Sequence, residues 1–292
     1  MANTINLAKI YTPMLDEVYK EASLTAVMDT ADELIQEAYN ANEIVIPMIE
    51  MDGLGNYSRN DGYVSGDATL TWETVKAEFD RGRKFSVDDL DDAETGGIAF
   101  GRLAGEFIRT KVVPELDAYR FAAYASTPDI STVAAAKLST GEAVISALRA
   151  GTTKMDEDEV PMEGRLLYIT PTLGGLVDDL DTTKSRAVLA RFSQVILVPQ
   201  TRFYTAITQY DGKSEGQTRG GYIKDAANGK NINFMIIHPS AVIQANKLVK
   251  PKILNPDVNP NGDQWVYGYR LVSIAKTYKN KLAGIYLHKS TT

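Results

Sequence analysis

Apolar and β-branched side chains alternate with polar ones along two segments, 43–51 and 69–85, which flank a tip rich in Gly, Asn and Asp at 52–67 (DGLGNYSRNDGYVSGD). Ile44, Val45, Ile46, Leu70, Thr71, Trp72 and Val75 fit extended strands, and the tip carries the glycines and small polar residues that turns require. The pattern predicts a ribbon whose arms reach ~30–50 Å at about 3.3 Å per residue. A compact domain of this length has a radius of gyration of only ~19 Å. A lone two-stranded ribbon is marginal in water, so an arm this long needs another molecule to lean on. That points to assembly rather than to chemistry.

Helical periodicity governs the segments on either side. Thr12-Pro13 reads as an N-cap followed by proline at the first helical position, with Asp16 and Glu17 in the first turn and Met14, Leu15, Val18 and Ala22 on one side. Val27, Ala31, Leu34, Ile35, Ala38 and Tyr39 predict a second helix, and the two together form an N-terminal arm. After an acidic run at 88–94, the spacing predicts a helix over 93–124. Phe100, Leu103, Phe107, Val113, Leu116, Tyr119 and Ala123 mark its buried side; Arg102, Glu106, Arg109, Lys111, Asp117 and Arg120 take polar positions around it. Such a helix is ~48 Å long at about 1.5 Å per residue. Pro114 cannot donate to Thr110, which predicts a kink. Gly96, Gly97, Gly101 and Gly105 predict close approach of another backbone.

From Ser139 the pattern becomes mixed α/β. Ser139 and Glu142 fit a capping box opening a helix over 139–150, and an acidic loop at 156–159 leads into a strand at 165–169. An internal echo follows: LLYITPTLGGLV (166–177) and FMIIHPSAVIQA (234–245) both run apolar strand, polar residue, proline, helix. Further strands fit 195–198, 265–276 and 282–288, and the stretches 211–221 (DGKSEGQTRGG) and 255–263 (NPDVNPNGD) are exposed loops.

Composition narrows the chemistry. The 292 residues are 44% hydrophobic and 24% charged, ordinary values for a folded chain of one large or two small domains. There is no cysteine, so disulfides, thiolate nucleophiles and cysteine metal sites are excluded. A net charge of −7 argues against broad attraction to nucleic-acid phosphates. The first residues lack the basic and apolar runs of a secretory signal, and no apolar segment reaches the ~18 residues that span a bilayer. The two histidines, His238 and His288, form no metalloprotease spacing, and no nucleophile elbow, phosphate loop or complete dinucleotide loop is present. The acidic runs match no calcium-loop spacing and read as solvated faces. The expectation is a protein without enzymatic activity and without cofactor or metal.

The order of these parts resembles the major capsid proteins of tailed bacteriophages, which share the Hong Kong 97-type fold. The most specific match is TLTWETVKAEFDRGRKFSVDDLDDAETGGIAFGRLAGEFIRTKVVPELDAYRFAAYA (69–125), which looks like the descending hairpin strand and spine helix of one such family. INFMIIHPSAVIQANK (232–247) and WVYGYRLVSIAKTYKNKLAGIYLHK (265–289) follow in the right order. The resemblance implies an α+β, Hong Kong 97-like capsid fold: an N-terminal arm (1–42), an extended β-hairpin loop (43–85), a peripheral domain with a long spine helix (86–138 and 257–279) and an axial α/β domain (139–256 and 280–292). Loop 211–221 is then a candidate for the loops that meet around five- and six-fold axes.

The same resemblance implies self-assembly into pentamers and hexamers of an icosahedral shell. That shell, the virion capsid, encloses double-stranded DNA without sequence-specific binding; it is assembled in the host cytoplasm with a scaffolding protein and a portal, and with no membrane. The candidate inter-subunit contacts are Ile46, Met48, Tyr57, Arg59, Leu70, Trp72, Val75, Phe79, Arg81, Arg83, Lys84, Asp88 and Asp91. Arg81, Arg83 and Lys84 pair either with a neighbour's 88–92 run or within one subunit across the ribbon base. Some members cross-link through a lysine in the extended loop; the tip here has none, its only cation being Arg59, which leaves Lys76 on the descending arm as a weaker candidate. No long charged helix precedes the arm, so a separate scaffolding protein is expected rather than a fused one. Three other readings stay open: an encapsulin-type nanocompartment enclosing cargo enzyme, an α/β enzyme whose site escapes motif reading, and a phage tail-tube protein, which should be mostly β.

Overall fold

The computed structural model describes residues 23–30, 36–37, 43–60, 62–89, 98–180, 182–260 and 262–291. The helix expected at Thr12-Pro13 lies outside the described residues. In chain order the strands are β1 (Gln36–Glu37), β2 (Glu43–Met51), β3 (Ala68–Lys76), β4 (Phe79–Asp88), β5 (Ser131–Thr132), β6 (Leu166–Ile169), β7 (Gln194–Leu197), β8 (Ile207–Gln209), β9 (Tyr222–Lys224), β10 (Ile232–Ile237), β11 (Val242–Leu254), β12 (Gln264–Thr277) and β13 (Ile285–Lys289). The α-helices are α1 (Ile98–Phe107), α2 (Val113–Ala125), α3 (Gly141–Glu157), α4 (Pro171–Asp178) and α5 (Thr183–Leu189).

A five-stranded mixed sheet, β5-β13-β10-β6-β7, forms the centre. Its inner strands are near-continuous apolar runs because both faces are covered. Leu166, Tyr168, Met235, Ile237, Ile285 and Leu287 face Phe121 and Tyr124 of α2 together with Phe203. The alternate residues Leu167, Ile169, Phe234, Ile236 and Tyr286 face Val144, Leu148 and Met155 of α3 and Leu173 and Val177 of α4. Gly151 lets α3 settle closely on this sheet: a Cβ there would come within 2.9 Å of the Ile236 and Tyr286 side chains.

A second sheet, β11-β12-β4, packs against the helical rod. Ala104, Ile108, Val113 and Leu116 bury against Phe79, Tyr267, Tyr269 and Leu271. The rod runs as α1, a π-helical turn at Ile108–Val112, and α2. The break predicted at Pro114 is thus a change of hydrogen-bond pattern in the preceding turn, where Thr110 Oγ1 also donates to the Glu106 carbonyl at 2.6 Å. Among the described residues, the helix's own backbone aside, nothing lies within 4 Å of a Cβ built at Gly105, so the expected close approach is not made there within the subunit.

Four expectations change. The descending arm, read as one strand over 69–85, is divided: β3 pairs with β2, whereas β4 leaves the ribbon and pairs with β12 along its whole length. The helix expected over 27–39 gives way, among the described residues, to a single 3-10 turn at Ala26–Met28 and to β1, whose pairing with β2 outweighs its helical spacing. The echo diverges after its prolines: Thr170-Pro171 opens α4, but His238-Pro239 opens one 3-10 turn and then the long strand β11. Val242 and Ile243 find strand partners in β12, and Pro251 is tolerated because β11 is an edge strand. Lastly, α3 is capped by Thr140, not Ser139, and runs on to Glu157, absorbing the first part of the acidic loop.

Candidate assembly surface

The ribbon is anchored at its base and, among the described side chains of β3 and the tip, largely exposed above it. β2 and β3 pair in register from Glu43↔Lys76 to Met51↔Ala68. At the lower end Ile44 and Val75 bury against Ile243 and Ile274 of the second sheet. Beyond that point Leu70 and Trp72 stay about half exposed, at 51% and 49%, and Tyr57, Tyr63 and Val64 in the tip are exposed too. The tip holds its own shape through polar contacts. Asp52 Oδ2 accepts from the Asp67 N–H at 2.8 Å, Ser58 and Gly62 exchange backbone bonds, and the Tyr57 and Tyr63 rings lie 4.9 Å apart.

This geometry sorts the candidate contact residues. Tyr57, Arg59, Leu70 and Trp72 are exposed on the ribbon. The side chains of Ile46 and Met48, and the whole of Asp91, lie outside the described residues. Val75 and Phe79 are corrected: at 7% and 2% exposure they belong to the subunit's own core, because each sits where the strand already touches the body. Arg81 Nε donates to Glu115 on α2 at 2.8 Å, and Arg83 donates to the Thr218 carbonyl at 3.0 Å. Both therefore find partners within the chain, and the partner of Arg81 is Glu115 rather than the 88–92 run. Burial pushes the Glu115 carboxyl above its usual range, against the lowering pull of Arg81. Lys84 is exposed, and Asp88 closes β4 opposite Gln264.

Loop 211–221 lies over β4. Besides the Arg83 contact, its Gly221 carbonyl accepts from Arg81 at 3.4 Å. Asp211 organises the turn, accepting from the N–H groups of Lys213 and Ser214 and from the Ser214 hydroxyl; these bonds hold its carboxyl down at about 2.

Ion pairs tie the ribbon base and the start of β4 to β12 and the turn after it: Glu73 with Lys279 at 2.6 Å, Glu78 with Lys276 at 3.0 Å, and Asp80 with Arg270 at 2.5 Å. All are exposed, so each contributes only ~0–1 kcal/mol and sets direction more than stability.

Sequence reasoning missed a buried polar clasp on α2. Asp117 and Arg120, assigned to polar positions on the helix, are fully buried. Asp117 accepts from Ser23 Oγ at 2.9 Å, the Leu24 N–H at 3.1 Å, Thr25 Oγ1 at 2.7 Å and Arg202 at 3.3 Å. Arg120 donates to Thr25 Oγ1 and Asn246 Oδ1, both at 2.9 Å, and pairs with Asp29 at 3.3 Å. Gln244 on β11 completes the set, donating to the Thr25 carbonyl and Asp29 Oδ1 at 2.7 Å and accepting from Tyr124 at 2.9 Å. Segment 23–30 is thus strapped across the rod and the second sheet by hydrogen bonds, with Met28 as its apolar plug. The available signal was the Ser-x-Thr pair at 23–25 facing an acid and a base one helical turn apart.

The remaining chemistry-bearing groups have structural partners. Asp156 pairs with the buried Arg165 at 2.7 Å and with Arg191 at 3.1 Å. His238 Nδ1 accepts from the Ser240 N–H at the head of its 3-10 turn. Among the described residues no group of three or more His, Asp or Glu side chains is placed to hold a metal ion, and no helix is long and apolar enough to cross a membrane.

A three-layer body, a rod laid on a second sheet and a projecting ribbon together define a capsid architecture, and the chain has the fold of the Hong Kong 97-type capsid proteins of tailed phages. It resembles the capsid structure of cyanophage P-SCSP1u at a TM-score of 0.57 and 10% identity, over 88% of this chain and 86% of that one. It resembles the capsid of Staphylococcus phage Andhra at 0.56 and 11%, over 88% and 82%. It also matches a virus-like particle from Pyrococcus furiosus at 0.60 and 12%, over 99% and 100%. No protein-family model matches the sequence, and no curated protein matches it.

Proposed function

We infer that this chain is a major capsid protein: copies self-assemble into pentamers and hexamers of an icosahedral shell that encloses phage DNA. The observation that carries this reading is the ribbon, anchored at Ile44 and Val75 and exposed at Leu70, Trp72 and the tip, on a capsid fold. Trp72, Leu70 and the tip tyrosines keep half or more of their surface in solvent, and fully covering a large apolar side chain contributes ~1.5–3 kcal/mol. A neighbouring copy supplies that cover, with Ile46, Met48, Tyr57 and Arg59 as further contacts. The strap at 23–30 belongs to the N-terminal arm. The rod is the spine helix of a peripheral domain (86–138 and 257–279), and the central sheet lies in an axial domain (139–256 and 280–292). A net charge of −7 suits a wall that must not hold its DNA tightly. A scaffolding protein and a portal complete the set of partners in the virion.

The test is electron microscopy of the expressed full-length chain, alone and with its scaffold, beside the double variant Leu70→Ser, Trp72→Ser. Closed particles for the wild type and unassembled subunits for the variant are expected. A wild type that stays monomeric under both conditions, or a variant that assembles as well, overturns the reading. A second reading is a nanocompartment shell around protein cargo; the end-to-end likeness to a virus-like particle suits either shell. Nucleic acid or protein inside the purified particles separates the two.

A further inference from the structure

We propose that the exposed face of the second sheet is an interface between two copies of this chain, the basic midsection of one sheet receiving the acidic end of the other. Alternate residues of a strand point to opposite faces. Phe79, Tyr267, Tyr269 and Leu271 pack on the rod, so the residues between them turn away from it. The register places Gly82, Arg270 and Lys250 on one rung of β4, β12 and β11, and Lys84, Gly268 and Lys252 on the next rung that faces the same way. All four cations are exposed. Arg270 is committed to Asp80 at 2.5 Å; among the described residues Lys84, Lys250 and Lys252 have no ion-pair partner.

The two glycines keep the floor between these cations low. A Cβ at Gly82 would come within 2.8 Å of the Tyr269 carbonyl oxygen, so a side chain there would force the strands apart. Lys84 and Lys252 stand two strands from one another, ~10 Å at about 4.8 Å per strand, with Gly268 between them. The result is a shallow, positively charged trough.

The same strip of sheet ends in carboxylates. Two rungs beyond Lys84, ~13 Å at about 3.3 Å per residue, Asp88 closes β4 opposite Gln264. The turn joining β11 to β12, 255–263 (NPDVNPNGD), lies at that end and carries Asp257 and Asp263 with no cation. These three acids are exposed, and Val258 beside Asp257 is 57% exposed, an apolar knob for the glycine floor. A second copy related by a two-fold axis sets its acidic end on these lysines and its lysines on this acidic end, so both contacts close together. Chains of net charge −7 repel at long range, and opposed charges placed locally select the register in which they meet. The inference deepens the shell reading and rests on it for the presence of a second copy.

The experiment is sedimentation velocity of the full-length chain at low and high salt, beside two charge-reversed variants. One carries Lys84→Glu, Lys250→Glu and Lys252→Glu; the other carries Asp88→Lys, Asp257→Lys and Asp263→Lys. Asp89 is left intact because its carboxylate accepts from Trp265 Nε1 at 3.0 Å. Circular dichroism checks that both are folded. The wild type should associate, and less so as salt rises. Each variant alone should associate about tenfold more weakly, and their equimolar mixture should recover to within about threefold of the wild type, since every like-charge contact becomes an opposite pair. A wild type that does not associate or ignores salt, or a mixture no better than its parts, overturns the interface. Loss in the lysine variant alone means that the cations meet some other anion, and overturns it too. Electron microscopy keeps the two readings apart: closed particles formed equally by all three proteins remove this interface and leave the shell, whereas recovered pairs without closed particles keep the interface and remove the shell.

Discussion

The central sheet and the ribbon are made of the same β-branched and aromatic residues, and the difference between them is where those residues end up. In β6, β10 and β13 alternate side chains face two different helical layers, so nearly every position is buried. In β3 only Val75 is buried; Glu73 is half-buried and the other positions are exposed. A sheet covered on both faces stabilises its own subunit. A strand left mostly in solvent, as β3 is, contributes little until another surface meets it. The contrast teaches that exposure on the ribbon is a property of the isolated chain, not of the residue types.

The comparison breaks most visibly at the buried clasp. Arg120→Ala removes the donor that neutralises Asp29 and satisfies Thr25 and Asn246, and should cost ~3–5 kcal/mol in urea unfolding. A loss under about 1 kcal/mol would show that the charges are solvated. Next, Gly151→Val pushes a branched side chain into Ile236 and Tyr286 and should cost ~1–3 kcal/mol by the same measurement.

A smaller effect sits in β13. His288 is stacked on Phe234 at 4.9 Å, and its Nδ1 accepts from Asn233, which fixes the neutral ring. Burial lowers its pKa from the usual 6.5. On acidification the unfolded chain therefore takes up this proton first. Stability from His288 is full above 6.5, falls as pH drops below it, and levels off once the folded ring is protonated as well. Unfolding free energies at neutral and mildly acidic pH should differ less in His288→Phe than in the wild type; equal differences would remove His288 from the account. Smallest of all, Tyr63→Ser and Trp72→Ser should each change subunit stability by no more than about 1 kcal/mol, since the two rings are 90% and 49% exposed. A large loss in either would mean that the ribbon is held by its own body.

How much of this was legible depended on the range of the interaction. The ribbon arms and the rod show in local alternation and periodicity, and the Thr170-Pro171 start of α4 shows in its turn chemistry. The division of β3 from β4 does not, because it is decided by β12, nearly two hundred residues away in the chain. Asp117 and Arg120 look like solvent positions on a helical wheel, and become interior only because residues 23–30 cross over them.

The passage of one strand between two sheets has a mechanical consequence. Ala77 and Glu78 join β3 to β4 without a loop, and β4 is hydrogen-bonded to β12 from Phe79 to Asp88. A tug on the ribbon is passed straight into that ladder, where many bonds resist sliding at once, and not into a flexible tether that would yield first. Tension between neighbouring molecules would then be carried by the stiffest part of each.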